Sequence, residues 1–185
     1  RIKGKKLMII PDFILQELSF EALNTSHDSL QYLIEDVEIR YAYSITYLER
    51  NKQVKRRAKN TFLGFAPEIF QKEGLSDLPY SGEEVKQIAD VFEGDMLLNA
   101  EAKKGVLLNA MYDYKIVHLS THAGINEHSV PWIATNDSRI YLSEVYANKN
   151  QSEMIVLSAC KTSLGKLRIG EGVMSLTRGF FISGA

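Results

Sequence analysis

Residues 154–160 read MIVLSAC, a short apolar run that ends in the only cysteine of the sequence and gives way at once to a charged, turn-like segment. A run of that length closed by a turn signal reads as a buried strand, with Cys160 at its carboxyl end. Upstream, YKIVHLST at 114–121 is a second run of the same kind, and Asn60 to Ala66 a third. Between them lie helical patterns. Ser81 precedes Glu84 by three positions, and Val85, Ile88, Ala89 and Phe92 recur at helical spacing up to Gly94, which predicts a capping-box start to an amphipathic helix. Residues 96–98 suit a short strand, Asn99 a cap and 102–112 a second helix. Residues 139–142 and 143–147 repeat strand and helix more weakly, and 172–181 reads as a closing helix. Strand and helix alternating at this spacing predict an α/β fold with a parallel sheet and crossover helices.

The amino-terminal third reads differently. Residues 7–10 form an apolar run closed by Pro11 and Asp12, and 18–23, 31–34 and 38–43 are rich in aromatic and branched residues, so further strands are expected there. From Ser44 the spacing of Ile45 and Leu48 predicts a helix running into Lys52, Lys55, Arg56, Arg57 and Lys59, a basic end read as a solvated helix face. Residues 67–79 have loop composition. The organisation expected is one domain over 1–185, with a sheet-forming half at 1–66 and a half that carries the chemistry at 78–185.

Composition sets limits. Of 185 residues, 45% are hydrophobic and 24% charged, enough for a real core. Twenty-two basic against twenty-three acidic residues leave a net charge of -1, so no global field argues for nucleic acid. No run reaches the roughly 18 apolar residues a bilayer span needs, and no signal-like sequence opens the chain. One cysteine makes no internal disulfide, and a lone thiol suits a reducing compartment, so a soluble, cytoplasmic protein is expected. Arg1 at the start and the apolar FFISGA at 180–185 both look cut from something larger.

The histidines and the cysteine are where chemistry can reside. His118 and His122 stand four apart, as zinc ligands do on a peptidase helix, but Leu119 occupies the place of the required glutamate. On a strand, four residues span about 13 Å, too far for one metal to bridge both rings. His118 shares alternation parity with Ile116 and reads as a hydrogen-bonded core residue. His122 pairs better with Cys160. Each ends an apolar strand, and in parallel α/β sheets functional residues gather at the carboxyl ends of strands. An imidazole there can exchange a proton with a thiol, and a thiolate is the strong nucleophile of acyl transfer. Gly124 nearby lets a substrate carbonyl approach backbone N–H donors. Spacing alone leaves open the alternative of a small buried thiol beside an ordinary loop histidine.

GKLRIGEG at 165–172 is not a phosphate loop. Glu171 stands where lysine would follow the second glycine, and Gly170 and Gly172 lie too far past the strand for a dinucleotide fingerprint. Asp137 and Glu171 are the acidic residues that could face a basic substrate side chain, although each is more often a turn residue or a helix N-terminal charge.

Taken together, HLSTHAG at 118–124, VLSACKTSLG at 156–165 and GEGVMSLTRGFF at 170–181 resemble the CHAT domains, caspase-like cysteine peptidases of the separase and caspase clan. LMIIPDFILQELSFEAL at 7–23 is similar to the family's opening strand and turn, and LPYSGEEVKQIADVF at 78–92 to its central helix, so the resemblance covers nearly the whole chain. It implies a caspase-like three-layer α/β sandwich with a mainly parallel central sheet flanked by helices. It implies a cysteine endopeptidase with His122 and Cys160 as its dyad, and an oxyanion hole from backbone amides near Ala123, Gly124 and Cys160. Relatives in the clan often place glycine directly after the histidine, where this chain has Ala123 before Gly124. No cofactor and no metal are implied. The family's pattern leads one to expect a further strand and helices beyond Ala185, so that the C-terminal part is missing, and tetratricopeptide-type helical repeats upstream that regulate the peptidase. A protein substrate is the expected partner, with neither nucleic acid nor membrane. The alternative expectation is a catalytically silent caspase-like scaffold.

Overall fold

The computed structural model describes residues 2–70, 74–159, 166–168 and 172–184. Two compact units divide the chain, one built chiefly from Arg1–Lys55 and the other from Arg56–Arg168 and Val173–Ala185. In the first, β1 (Lys6–Ile9) is followed by a short helix α1 (Leu33–Asp36), β2 (Glu38–Tyr41) and α2 (Ile45–Gln53). β1 and β2 pair in parallel with Leu7 opposite Ile39. Ser44 caps α2, its hydroxyl accepting the Tyr47 N–H.

Two of the expected strands here are not strands. Residues 13–17 and 20–22 form 3-10 turns in which the Leu18 and Leu23 N–H groups bond back to the Leu15 and Phe20 carbonyls. Residues 31–34 run into α1, whose first turn is fixed by the Glu35 carboxylate accepting the Tyr32 N–H. Short apolar runs carry no period that separates strand from helix, and local partners decide between them. The basic stretch is also redistributed. α2 stops at Gln53, so Lys55, Arg56, Arg57 and Lys59 lie beyond it rather than on its face.

The second unit holds the core. In order it contains β3 (Asn60–Ala66), α3 (Ser81–Phe92), β4 (Asp95–Leu98), α4 (Lys104–Ala110), β5 (Tyr114–Ser120), β6 (Ala123–Ile125), β7 (Pro131–Ala134) and β8 (Arg139–Tyr141). Then come α5 (Leu142–Ala147), β9 (Met154–Ser158), β10 (Lys166–Arg168), β11 (Gly172–Met174) and α6 (Leu176–Ser183). The main sheet has the order β4-β3-β5-β9, with every pairing parallel. β6, β7 and β8 make a separate antiparallel sheet, and β10 and β11 a two-stranded one. The boundary drawn at residue 66 therefore differs from the boundary between compact units, because β3 lies inside the main sheet.

Strand alternation gives the main sheet two faces. Leu63, Phe65, Val117, Leu119, Ile155 and Leu157 share one core with Leu107, Met111, Val145, Leu176 and Phe180, which belong to α4, α5 and α6 or their ends. Ile155 and Leu157 are partly buried, and the fully buried members of this set each contribute about 1.5–3 kcal/mol. The opposite face receives α3. Gly64 of β3 lies so close to Val85 that an added Cβ would come within 2.1 Å of the valine Cγ1, and Phe92 stacks on Phe62 with ring centroids 5.6 Å apart. The fold is thus α/β with a mainly parallel central sheet between helices.

Helix ends depart from the sequence reading in two places. Ser81 is the first residue of α3 rather than its cap, and its hydroxyl donates to the Leu78 carbonyl while Glu84 reaches forward to the sheet. The helix expected over 172–181 opens as β11, and α6 begins only after Ser175, whose hydroxyl accepts the Arg178 N–H. Among the described residues, no helix is long and apolar enough to cross a membrane.

Candidate active site

β5 delivers His122. Beyond Ser120 the chain leaves the main sheet, and the Thr121 hydroxyl donates to the Ala134 carbonyl while the His122 carbonyl accepts the Ala134 N–H. These bonds anchor the turn from β5 into β6. The His122 ring is held from two sides. Its Nε2 lies 2.7 Å from the Ser76 carbonyl oxygen, and the Phe70 ring meets it edge-on at 4.9 Å between centroids. A carbonyl only accepts, so the partner assigns the proton to Nε2. In the neutral ring Nδ1 then carries the lone pair and is the nitrogen able to take a proton.

Ala123 and Gly124 open β6, opposite Ile133 and Trp132. Gly124 has a steric reason to be glycine, since an added Cβ would come within 2.6 Å of the Trp132 ring. The Arg139 guanidinium lies over the Trp132 ring, 4.3 Å from its centroid.

β9 leads toward Cys160. Its pairing with β5 sets Ser158 opposite Ser120. In the sequence His122 stands two residues beyond Ser120 and Cys160 two residues beyond Ser158. Cys160 itself, Glu171 and the segments 160–165 and 169–171 lie outside the described residues. Asp137 is committed to local structure. Its Oδ1 accepts the Lys104 N–H at the start of α4 and the Thr135 hydroxyl, both at 2.9 Å. Burial pushes the Asp137 carboxyl up, but these donors outweigh it and hold the group below its ordinary value.

His118 is buried within β5, its Nε2 2.8 Å from Oε1 of Glu84 on α3. Glu84 is the residue that sequence reasoning placed in a capping box and the structure places elsewhere. Its other oxygen accepts the Ser120 hydroxyl at 2.7 Å, and Ser120 is paired in register with Ser158 of β9. Burial raises the Glu84 pKa, but the bonds from Ser120, Ser158 and His118 prevail and hold it below the ordinary value. The signal was in the sequence as His118 and Ser120, two polar residues at alternate positions of an otherwise apolar strand.

A parallel α/β sheet whose neighbouring strands β5 and β9 end at one carboxyl edge, ahead of a histidine and a cysteine in the sequence, is an architecture of the caspase-like kind. The family model of the CHAT domain matches residues 1–185, the full length of the sequence, and the chain belongs to that family. CHAT domains are a caspase-like, peptidase-related family. A comparison with curated proteins finds no match.

Proposed function

We propose that the chain is a cysteine endopeptidase that hydrolyses peptide bonds of a protein substrate through His122 and Cys160. The observation that supports this best is the parallel register of β5 and β9, in which Ser120 faces Ser158 and the two candidate groups follow at the same remove. Ordinary thiols ionise near pH 8.5, so a neutral-pH nucleophile needs a neighbouring base or imidazolium. With Nε2–H held by Ser76, Nδ1 of His122 accepts the Cys160 proton. The thiolate attacks the scissile carbonyl, and backbone amides near Ala123, Gly124 and Cys160 stabilise the oxyanion. The imidazolium returns the proton to the departing amine as the C–N bond breaks, leaving a thioester. His122 then takes a proton from water, whose oxygen attacks the thioester; the C–S bond breaks, the acid product leaves, and the imidazolium returns its proton to the Cys160 thiolate. Tetratricopeptide-type repeats upstream in the same polypeptide, regulating the peptidase in the cytoplasm, complete the reading.

Alkylation of Cys160 with iodoacetamide at pH 6–7 tests the pair. The reading expects a rate above that of a free model thiol and a loss of that advantage in His122→Ala. A rate equal to the model thiol, unchanged by His122→Ala, would leave a scaffold without peptidase chemistry. Cleavage profiling of cellular proteins against Cys160→Ala identifies substrates.

A further inference from the structure

The sheet face under α3 is polar at one place. His118 and Ser120 of β5 and Ser158 of β9 point to that face; His118 and Ser120 bond the single carboxylate of Glu84, and Ser158 stands opposite Ser120 on the neighbouring strand. The approach is close because Gly64 gives Val85, the next helical residue, room to descend onto β3. Apolar packing such as Phe62 on Phe92 is enough to hold a helix to a sheet. The Glu84 side chain keeps 39% of its surface exposed, so desolvation alone does not call for these bonds, and their convergence on one carboxylate asks for a reason beyond docking. A serine-type triad is not that reason. There the imidazole stands between carboxylate and hydroxyl, whereas here the carboxylate stands between imidazole and hydroxyls.

Position supplies the reason. Ser120 and Ser158 are the last residues of adjacent parallel strands, paired with each other. Holding the Ser120 end of β5, and with it the Ser158 end paired to it, against one helix side chain fixes the position of the strand ends. We propose that Glu84 is a positioning residue whose carboxylate clamps the carboxyl ends of β5 and β9 to α3 and thereby sets the spacing of the strand ends that precede His122 and Cys160 in the sequence. The inference rests on the reading of those two residues as the reacting pair. Glu84 touches neither of them and acts only through the strands.

Its test uses the full chain carrying Glu84→Ala, Glu84→Gln and, as a control, Glu83→Gln on the exposed side of α3, where the Glu83 carboxylate accepts the Gln87 side-chain amide. Peptide hydrolysis, the alkylation rate of Cys160 and the melting temperature are measured for each. Glu84→Ala is expected to lower kcat and the alkylation rate about tenfold to a hundredfold, the scale of a misplacement remote from the chemistry. KM stays near the wild-type value. Glu84→Gln keeps the size and one acceptor oxygen and recovers part of the loss, and Glu83→Gln behaves as wild type. Alkylation that depends on His122 but not on Glu84 overturns the clamp and leaves the peptidase reading standing. Alkylation indifferent to His122 overturns both. Should Glu84→Ala not fold, Ser120→Ala and Ser158→Ala carry the same expectation in smaller measure, and wild-type kcat in both overturns the clamp.

Discussion

The Nε2 atom of His122 lies 2.7 Å from the carbonyl oxygen of Ser76, and that one bond decides which face of the imidazole is free for chemistry. A backbone acceptor holds the ring without competing for charge, as a carboxylate would. Orientation then depends on what keeps the ring from turning, and Phe70 does this with its edge-on contact. Phe70 is fully buried in a small cluster with Trp132 and Ala134. Phe70→Ala is expected to lower stability by about 3–5 kcal/mol, the usual cost of emptying a buried phenylalanine site. Activity should fall further than the folded fraction does, and Phe70→Leu should retain more of both. Urea unfolding beside kcat measured on folded protein separates the two effects.

Close packing of α3 on the sheet gives a second expectation. An alanine at position 64 would put its Cβ within 2.1 Å of the Val85 Cγ1, and Val85 is fully buried. Gly64→Ala should cost about 1–3 kcal/mol as overpacking. Val85→Ala opens the space that the new methyl fills, so the double variant should be less damaged than the sum of the singles. A double-mutant cycle by chemical denaturation reads a coupling of about 0.5–3 kcal/mol, and strict additivity would contradict the contact.

The same region shows what the sequence could tell and what it could not. β3 matched its predicted bounds, Asn60 to Ala66, because continuous apolar runs between loop signals are the signature of strands buried on both faces. β5 and β9 were legible for the same reason. Residues 18–23 and 31–34 were not, since each is four to six residues long and neither extends the two-stranded pairing of β1 with β2. β6 and β7 escaped because AGI and PWIA are too short to show alternation and acquire strand geometry only by pairing with each other. His122 is nominated by its place after an apolar run. The role of Ser76 was out of reach, because a backbone carbonyl has no sequence signature. Glu84 was seen but misassigned, since its spacing from Ser81 satisfied a local rule while its partners lay more than thirty residues away.

Arg56 lies just past α2, in the basic stretch the sequence offered as a solvated face. Its Nε donates to the Ser152 carbonyl at 3.0 Å and an Nη to the Gly184 carbonyl at 3.1 Å, joining the approach to β9 with the end of α6. Charged donors to neutral acceptors contribute about 1.5–3 kcal/mol each, so Arg56→Ala should lower the urea midpoint clearly. Arg56→Lys should recover little, because an ammonium does not reproduce the planar fork that reaches two carbonyls at once. Equal midpoints for Lys and Arg at this position would mean that charge alone matters.

Tyr114, at the start of β5, donates its hydroxyl to Asp95 Oδ2 at 2.7 Å. Burial, then the hydrogen bond to Asp95 and the negative charges of Asp95 and Asp113, push its pKa from 10 up to about 12. The folded state therefore keeps a proton that the unfolded chain releases earlier. By linkage, this contribution to stability is complete below pH 10 and is lost progressively as pH rises from 10 to about 12. Tyr114→Phe cannot lose a proton, and so should flatten the fall in stability across that window while starting from a lower value at neutral pH. The measurement is the denaturant midpoint of both proteins at several pH values between 8 and about 12, with a parallel decline in the two curves counting against the pair.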